Sequence, residues 1–442
     1  MMYCRLIVAL LIISFLGSCS IKKSINKNVN LNVQSDSLLN TAFVGFKIID
    51  LDTKEVLEES NAANYFIPAS NTKLLSMYSA IRTFGDSIPG WFIAEDHHTL
   101  YIEPNADPSF MHSDFKEQKL FDLLCNTNKK IVLILPSSAN IGRFGAGWSW
   151  NSHLYNYAVE RSVMPMYANL VRFAKRGNNF YAVPSFFTDS INNVKEEVDH
   201  NRFVRVERDE QSNSFVFSNN SNATHLVTGY TRQQNEELPF LLLRDTLVKR
   251  NPQADISLWK ERPEGLQFKA FYTVPTDDLL GIMMKRSDNF IAEQILLMVG
   301  KYNTGEVSDY ITIKNLRNTL FADVLDAGRW ADGSGLSRNN LISPNEYINL
   351  LGQINTEGIR DRVIDILPAG NQGTLSGLYL GYEPNIAAKT GTLADHLGLS
   401  GYLKTKKNTN LAFSFLINNH RGNANDYRKK IEEVLIWYIE NK

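Results

Sequence analysis

Pro68-Ala69-Ser70-Asn71-Thr72-Lys73 runs into Leu74, Met77, Tyr78 and Ile81, apolar residues at helical spacing, and so predicts a helix over residues 70–83. A spacing of three puts Ser70 and Lys73 on one face of that helix, with the amine within reach of the hydroxyl. A serine hydroxyl is a weak nucleophile until a neighbouring base takes its proton. Lysine can serve as that base when burial or a second cation depresses its pKa. Taken alone, the pattern is better explained by a helix-capping serine and a solvated lysine. The rest of the chain decides between the two.

Upstream, Phe43-Val44-Gly45-Phe46-Lys47-Ile48-Ile49 and Val56-Leu57-Glu58 flank the polar turn Asp52-Thr53-Lys54, which reads as a hairpin. Between about 90 and 263 the texture changes to short β-like runs, among them 130–135, 202–206 and 214–217, broken by turn signals such as Ser218-Asn219-Asn220-Ser221-Asn222. Helical periods return in 277–285 and 290–299. Three consecutive strands follow over 386–392, 401–404 and 411–417, and a closing helix over 426–439. Both ends are therefore α plus β, and the middle is a separate β-rich region.

Two further motifs carry chemistry. Ser287-Asp288-Asn289, between two helical periods, offers a second hydroxyl for proton relay and an amide to hold substrate, although a helix cap alone would explain it. Lys389-Thr390-Gly391-Thr392 lies on a strand, where Gly391 permits close backbone approach; its edge can pair with an extended peptide while Lys389 and the threonine hydroxyls receive a terminal carboxylate. An exposed turn would explain that tripeptide equally well. Other chemistries lack support. The 8 histidines are scattered with no HExxH spacing, and there is no GxGxxG, P-loop or GxSxG. No metal or cofactor is expected. With 46 basic and 47 acidic residues and a net charge of -1, the chain has no general pull toward nucleic acid, and none is expected as a partner.

SxxK, SDN and KTG in this order form the joint signature of class A β-lactamases and penicillin-binding proteins. The chain resembles the serine D-alanyl-D-alanine carboxypeptidases of the penicillin-binding protein 4 type over essentially all of residues 42–442. Ala331-Asp332-Gly333-Ser334-Gly335-Leu336-Ser337-Arg338 looks like that group's DGSGLSR box, and Leu367-Pro368 with Gly370-Asn371-Gln372-Gly373-Thr374-Leu375 like its LPxxGxxGTL segment. Weaker echoes are Ala106-Asp107-Pro108-Ser109 and Gly145-Ala146-Gly147-Trp148-Ser149-Trp150. Roughly 200 residues separate Ser70 from Ser287, far more than a compact β-lactamase-like domain needs.

The resemblance implies an α/β (α+β) fold: a β-lactamase/transpeptidase-like domain, with an antiparallel sheet flanked by helices, split into 36–92 and 265–442. A β-rich insertion over 93–264, in one or two subdomains, interrupts it. It also implies that Ser70 attacks a D-Ala carbonyl of a peptidoglycan stem peptide or cross-link, with Lys73 as base and Ser287 passing the proton to the leaving amine. Asn289 would orient the substrate amide. Lys389, Thr390, Gly391 and Thr392 would form the carboxylate-binding strand, and the N–H groups of Ser70 and Thr392 would hold the oxyanion. Repulsion from Lys389 would help keep Lys73 neutral. β-Lactams should acylate Ser70, and without an ExxLN segment efficient β-lactam hydrolysis is not expected. The group often has an acidic residue after the GWxW-like segment to grip the cationic end of the stem peptide; here Asn151-Ser152 stand there, and no specificity residue follows. The alternatives are a non-catalytic peptidoglycan-binding envelope lipoprotein, and an esterase or D-amino-acid amidase of the same fold.

The N-terminus bears on location. Arg5 precedes an apolar run over 6–16 that is too short to span a bilayer and reads as a secretory signal peptide, residues 1–18. Leu16-Gly17-Ser18-Cys19 resembles a bacterial lipobox, which makes Cys19 a lipidation site and anchors a periplasm-facing lipoprotein to a membrane; residues 19–35, rich in Lys and Asn, form a flexible tether. Of 3 cysteines, Cys4 leaves with the signal and Cys19 takes the lipid. Cys125 is left as a buried small hydrophobe with no disulfide partner.

Overall fold

The computed structural model describes residues 36–135, 141–176, 179–195, 206–218 and 225–442. The signal, tether and Cys19 readings lie outside these residues. The hairpin forms as expected from β1 (Phe43–Asp50) and β2 (Val56–Ser60), with a register shift at Ile48/Ile49. Its turn is closed by Asp50 Oδ1, which accepts from the N–H groups of Asp52 and Thr53. A 3-10 turn over Ala69–Thr72 leads into α1 (Lys73–Phe84), so the α-helix begins three residues later than the spacing suggests.

The chain then enters a second sheet through β3 (Ser87–Glu95), β4 (Thr99–Pro104), helix α2 (Lys119–Asn126) and β5 (Lys130–Ile134). Two small three-stranded sheets follow. One orders β8 (Ile191–Lys195), β10 (Phe215–Ser218) and β9 (Val206–Arg208); the other orders β11 (His225–Gly229), β6 (Leu170–Arg176) and β7 (Asn179–Val183). The strand expected at 202–206 lies largely outside the described residues, with β9 starting at its last member. Helix α3 (Leu238–Arg250) precedes β12 (Ile256–Trp259) and β13 (Lys269–Pro275), which complete the second sheet in the order β12-β5-β4-β3-β13. Pro275 pairs with Ser87, so the chain leaves this sheet beside where it entered.

Helices α4 (Thr276–Arg286), α5 (Asn289–Thr304), α6 (Asp309–Asn318), α7 (Pro344–Thr356) and α8 (Arg360–Ile366) follow. The chain closes with β14 (Ile386–Leu393), β15 (His396–Lys404), β16 (Asn410–Asn418) and α9 (Ala424–Asn441). The last strands complete an antiparallel sheet with the first, in the order β14-β15-β16-β1-β2. Period-two alternation sorts its residues. Phe413, Phe415 and Ile417 of β16 pack with Tyr427, Val434 and Leu435 of α9, whereas Ala412 and Leu416 join the core under α1 and α7. Each side of this sheet is therefore apolar and covered by helix.

Helices α2 and α3 inside the middle region are not foreseen by the β-rich reading. Cys125, in α2, is half-buried rather than buried, and burial pushes its thiol pKa up.

The middle region is tied to the helices by charge. Arg161, 3% exposed, donates to Asp309 Oδ2 on α6 (2.5 Å) and Glu293 Oε2 on α5 (3.4 Å). Removing one member of a buried pair strands the other charge without water. Urea unfolding should therefore show Arg161→Met losing about 3–5 kcal/mol, with part of the loss recovered in Arg161→Met/Glu293→Gln. A loss under about 1 kcal/mol would mean that the pair holds nothing.

Candidate active site

Ser70 sits in a turn held from three sides. Ala69, fully buried, adopts φ 48°, a left-handed conformation that a residue with a Cβ avoids unless its surroundings enforce it. Here Thr72 Oγ1 donates to the Ala69 carbonyl (2.9 Å). Asn71, with its amide turned to suit both neighbours, donates to the Lys389 carbonyl (2.5 Å) and accepts from the Leu399 N–H (3.1 Å). Beneath the turn, Gly391 of β14 pairs with Gly398 of β15. A Cβ on Gly391 would lie 2.5 Å from the Pro68 carbonyl oxygen, and one on Gly398 2.2 Å from the Asn71 amide. The two glycines form a flat patch on which the turn rests.

Lys73 is fully buried, not the solvated lysine of the simpler reading. Its Nζ lies 2.9 Å from Ser70 Oγ, 2.6 Å from Asn289 Oδ1 and 2.7 Å from the Ser334 carbonyl oxygen. Burial lowers its pKa to about 8 against the opposing pull of Asp332, Asp288 and Glu293. Burial is thus the main cause that drives the proton off Lys73; the neighbouring Lys389 is itself pushed well down, by burial first and by Lys73 second. In the neutral amine two hydrogens can go to the two carbonyl-type oxygens, which leaves the nitrogen lone pair facing the Ser70 hydroxyl.

The second motif serves both readings at once. Ser287 ends α4 at φ 59°, and Asp288 caps α5 by accepting from the Ile291 N–H (2.9 Å). Because Asp288 does the capping, Ser287 and Asn289 are free to face the cleft. Ser287 Oγ accepts from Lys389 Nζ (2.9 Å), and Asn289 Nδ2 donates to the Tyr157 carbonyl (3.0 Å).

β14 is the edge of its sheet. Ala388 N–H donates outward to the Pro368 carbonyl (3.1 Å), so by two-residue alternation Thr390 and Thr392 also turn their N–H and C=O groups to the open edge. Ser70 lies where two cavities meet. One, about 670 Å³, is lined by Thr374, Thr390, Thr392 and the start of α9; the other, about 520 Å³, by Trp148, Ser152, Tyr157, Asn289 and Arg338. The structure thus brings Ser70, Lys73, Ser287, Asn289, Lys389, Thr390 and Thr392 around one cleft, with Gly391 supporting it from below.

Sequence reasoning missed what holds the Ser334 carbonyl in place. Asp332, fully buried, accepts from the N–H groups of Gly335 and Ser337, from Asn340 Nδ2 and from Trp148 Nε1 of the middle region. Glu293 Oε1 accepts from the Ser334 N–H (2.7 Å), and burial raises the pKa of its carboxyl to about 7. The DGSGLSR resemblance marked this loop; no spacing rule pointed from it to Lys73. Among the described residues no group of three or more His, Cys, Asp or Glu could hold a metal ion, and no helix is long and apolar enough to cross a membrane.

Comparison with known proteins gives the chain its relatives. Over 92% of its length the chain is 24% identical to the D-alanyl-D-alanine carboxypeptidase DacB of Haemophilus influenzae, of which it covers 92%. It is 22% identical to the penicillin-sensitive carboxypeptidase A of Dictyostelium discoideum, covering 85% of this chain and 82% of that one. In fold it is similar to the crystal structure of penicillin binding protein 4 from Haemophilus influenzae, with TM-score 0.72, 20% identity, and 93% and 100% of the two chains covered. A family model, D-Ala-D-Ala carboxypeptidase 3 (S13), matches residues 25–438. The chain therefore belongs to the D-Ala-D-Ala carboxypeptidase 3 (S13) family.

Proposed function

We propose that the chain hydrolyses D-Ala-D-Ala bonds of peptidoglycan stem peptides, and the equivalent cross-links, through an acyl-enzyme on Ser70. The observation that carries this reading is the Lys73 amine, buried and 2.9 Å from Ser70 Oγ, with its other two partners fixed. Neutral Lys73 takes the Ser70 proton as Oγ attacks the penultimate D-Ala carbonyl. The N–H groups of Ser70 and Thr392 receive the oxyanion at the strand edge. The proton taken by Lys73 passes through the Ser287 hydroxyl, held by Lys389, to the leaving amine as the C–N bond breaks, which leaves Lys73 neutral and Ser287 protonated again. Water then attacks the ester and frees Ser70. Asn289 aligns the acyl side, so the cavity beside it takes the stem peptide. The cavity along Thr390 takes the leaving group, and at about 670 Å³ it is far larger than one alanine, which favours cross-linked leaving groups as well as free D-Ala.

We assign the transpeptidase-like domain to 36–92 and 265–442 with the insertion at 93–264, the second sheet straddling both boundaries through β3 and β13. The chain is further proposed to be a lipoprotein held at the envelope through Cys19, with the signal peptide removed before it. Metabolic labelling with a palmitate analogue should mark the wild type and not Cys19→Ala; equal labelling of both would remove the anchor from this account.

Labelled penicillin should mark the wild type and leave Ser70→Ala unmarked, and only the wild type should release D-Ala from a muropeptide pentapeptide. Marking of both proteins would overturn the role of Ser70. The pH profile gives a separate check. The reactive form of Lys73 is the neutral one and its pKa lies at about 8, so acylation should rise with pH through that value and level off above it. A profile flat from pH 6 to 9.5 would exclude Lys73 as the base.

A further inference from the structure

The leaving-group cavity contains a cation that the mechanism above does not use. Arg428 lies in the second turn of α9, partly buried, with its guanidinium in the cavity lining beside Thr390 and Thr392. Its Nη2 donates to Thr392 Oγ1 (2.9 Å) and its Nη1 to Asn425 Oδ1 (2.6 Å). Both acceptors are neutral. No carboxylate among the described residues comes within ion-pair distance of it, although Asp426 lies in the same lining two positions earlier. Burial lowers its pKa with no acidic neighbour opposing the shift. A half-buried guanidinium bonded only to neutral oxygens is incompletely compensated, and an anion placed beside it would restore the balance.

The surroundings match one class of anion. Thr392 Oγ1 already accepts from Arg428, so its own proton is free to point into the cavity. The Thr374 hydroxyl, in the same lining, is buried without a hydrogen-bond partner among the described residues. A fork of N–H donors flanked by hydroxyls suits a carboxylate. The leaving group has one on the carbon that carries the scissile nitrogen, whether it is D-Ala or the D-centre of a cross-linking residue.

We propose that Arg428 binds the α-carboxylate of the leaving group, directly through its guanidinium and by orienting the Thr392 hydroxyl, and so sets the preference for substrates with a free carboxylate at that position. The proposal rests on the Ser70 acyl-enzyme reading. It extends the KTG strand's role to a residue that no motif in the sequence marks.

The test compares an acyl-D-Ala-D-Ala peptide with its C-terminal carboxamide in the wild type, Arg428→Gln and Arg428→Lys. A charge-assisted hydrogen bond contributes about 1.5–3 kcal/mol, so Arg428→Gln should lower kcat/KM for the carboxylate on the order of 10- to 100-fold. The carboxamide should fall much less, collapsing the ratio between them, and Arg428→Lys, with its charge but no fork, should be intermediate. Equal losses on both substrates would reduce Arg428 to a support for Thr392 and overturn the proposal, as would a ratio unchanged in Arg428→Gln. A wild type that cleaves neither peptide and takes no penicillin label would instead overturn the Ser70 reading, and the assignment of Arg428 with it.

Discussion

The structure depends on a single amine kept out of water. Lys73 Nζ joins three chain segments far apart in sequence: the turn of Ser70, the first residue of α5 through Asn289, and the Ser334 carbonyl. An ammonium in that place would lose its hydration and regain only part of it from neutral oxygens and distant carboxylates, which is why its pKa falls. The same burial that makes the ammonium costly makes the free amine a usable base at neutral to mildly alkaline pH. Fold and reactivity are here one electrostatic fact.

Holding that amine requires its acceptors to be as rigid as the amine itself. Asp332 gathers five donors, the Ser334 hydroxyl among them, and fixes the loop whose carbonyl faces Lys73; another of those donors is the indole of Trp148 in the middle region. Ser337 Oγ donates back to the Ala146 carbonyl (2.6 Å). Gln294, beside Glu293 on α5, donates to the carbonyls of Ala106 and Ser162 (2.9 and 2.8 Å). The middle region is thereby fastened to the loop and the helix that position Lys73, and it also walls the cavity beside Asn289. A change in its seating would reach Lys73 through Asp332 without altering any residue in the cleft.

Much of this was legible in the sequence because it is local. The hairpin, the three closing strands, the helices on either side of Ser287 and the order of the three motifs each depend on spacings within one segment. What escaped was non-local. The parallel pairing of β5 with β4 and β12 has no signature in any one of those strands. Helix α3 carries Leu238, Leu242, Leu243 and Leu247 at helical spacing, but Pro239 near its start and the surrounding strand-like runs obscured it. The simple explanations for Ser70 and Ser287 were displaced by neighbours: a fully buried Lys73 in one case, and Asp288 taking over the cap in the other. Arg428 lies outside every motif, and only the docking of α9 on the closing sheet brings it to Thr392.

The glycine pair under Ser70 constrains how such an enzyme can change. Because Gly391 and Gly398 present bare backbone to the Pro68–Asn71 turn, the height of Ser70 above the sheet is set by main-chain atoms common to every sequence, a datum plane that no side chain can shift. The walls of both cavities are side chains mounted on other elements. Substitution there can alter what fits either cavity while Ser70 Oγ keeps its coordinates. Selectivity in this architecture can drift while reactivity stays in register.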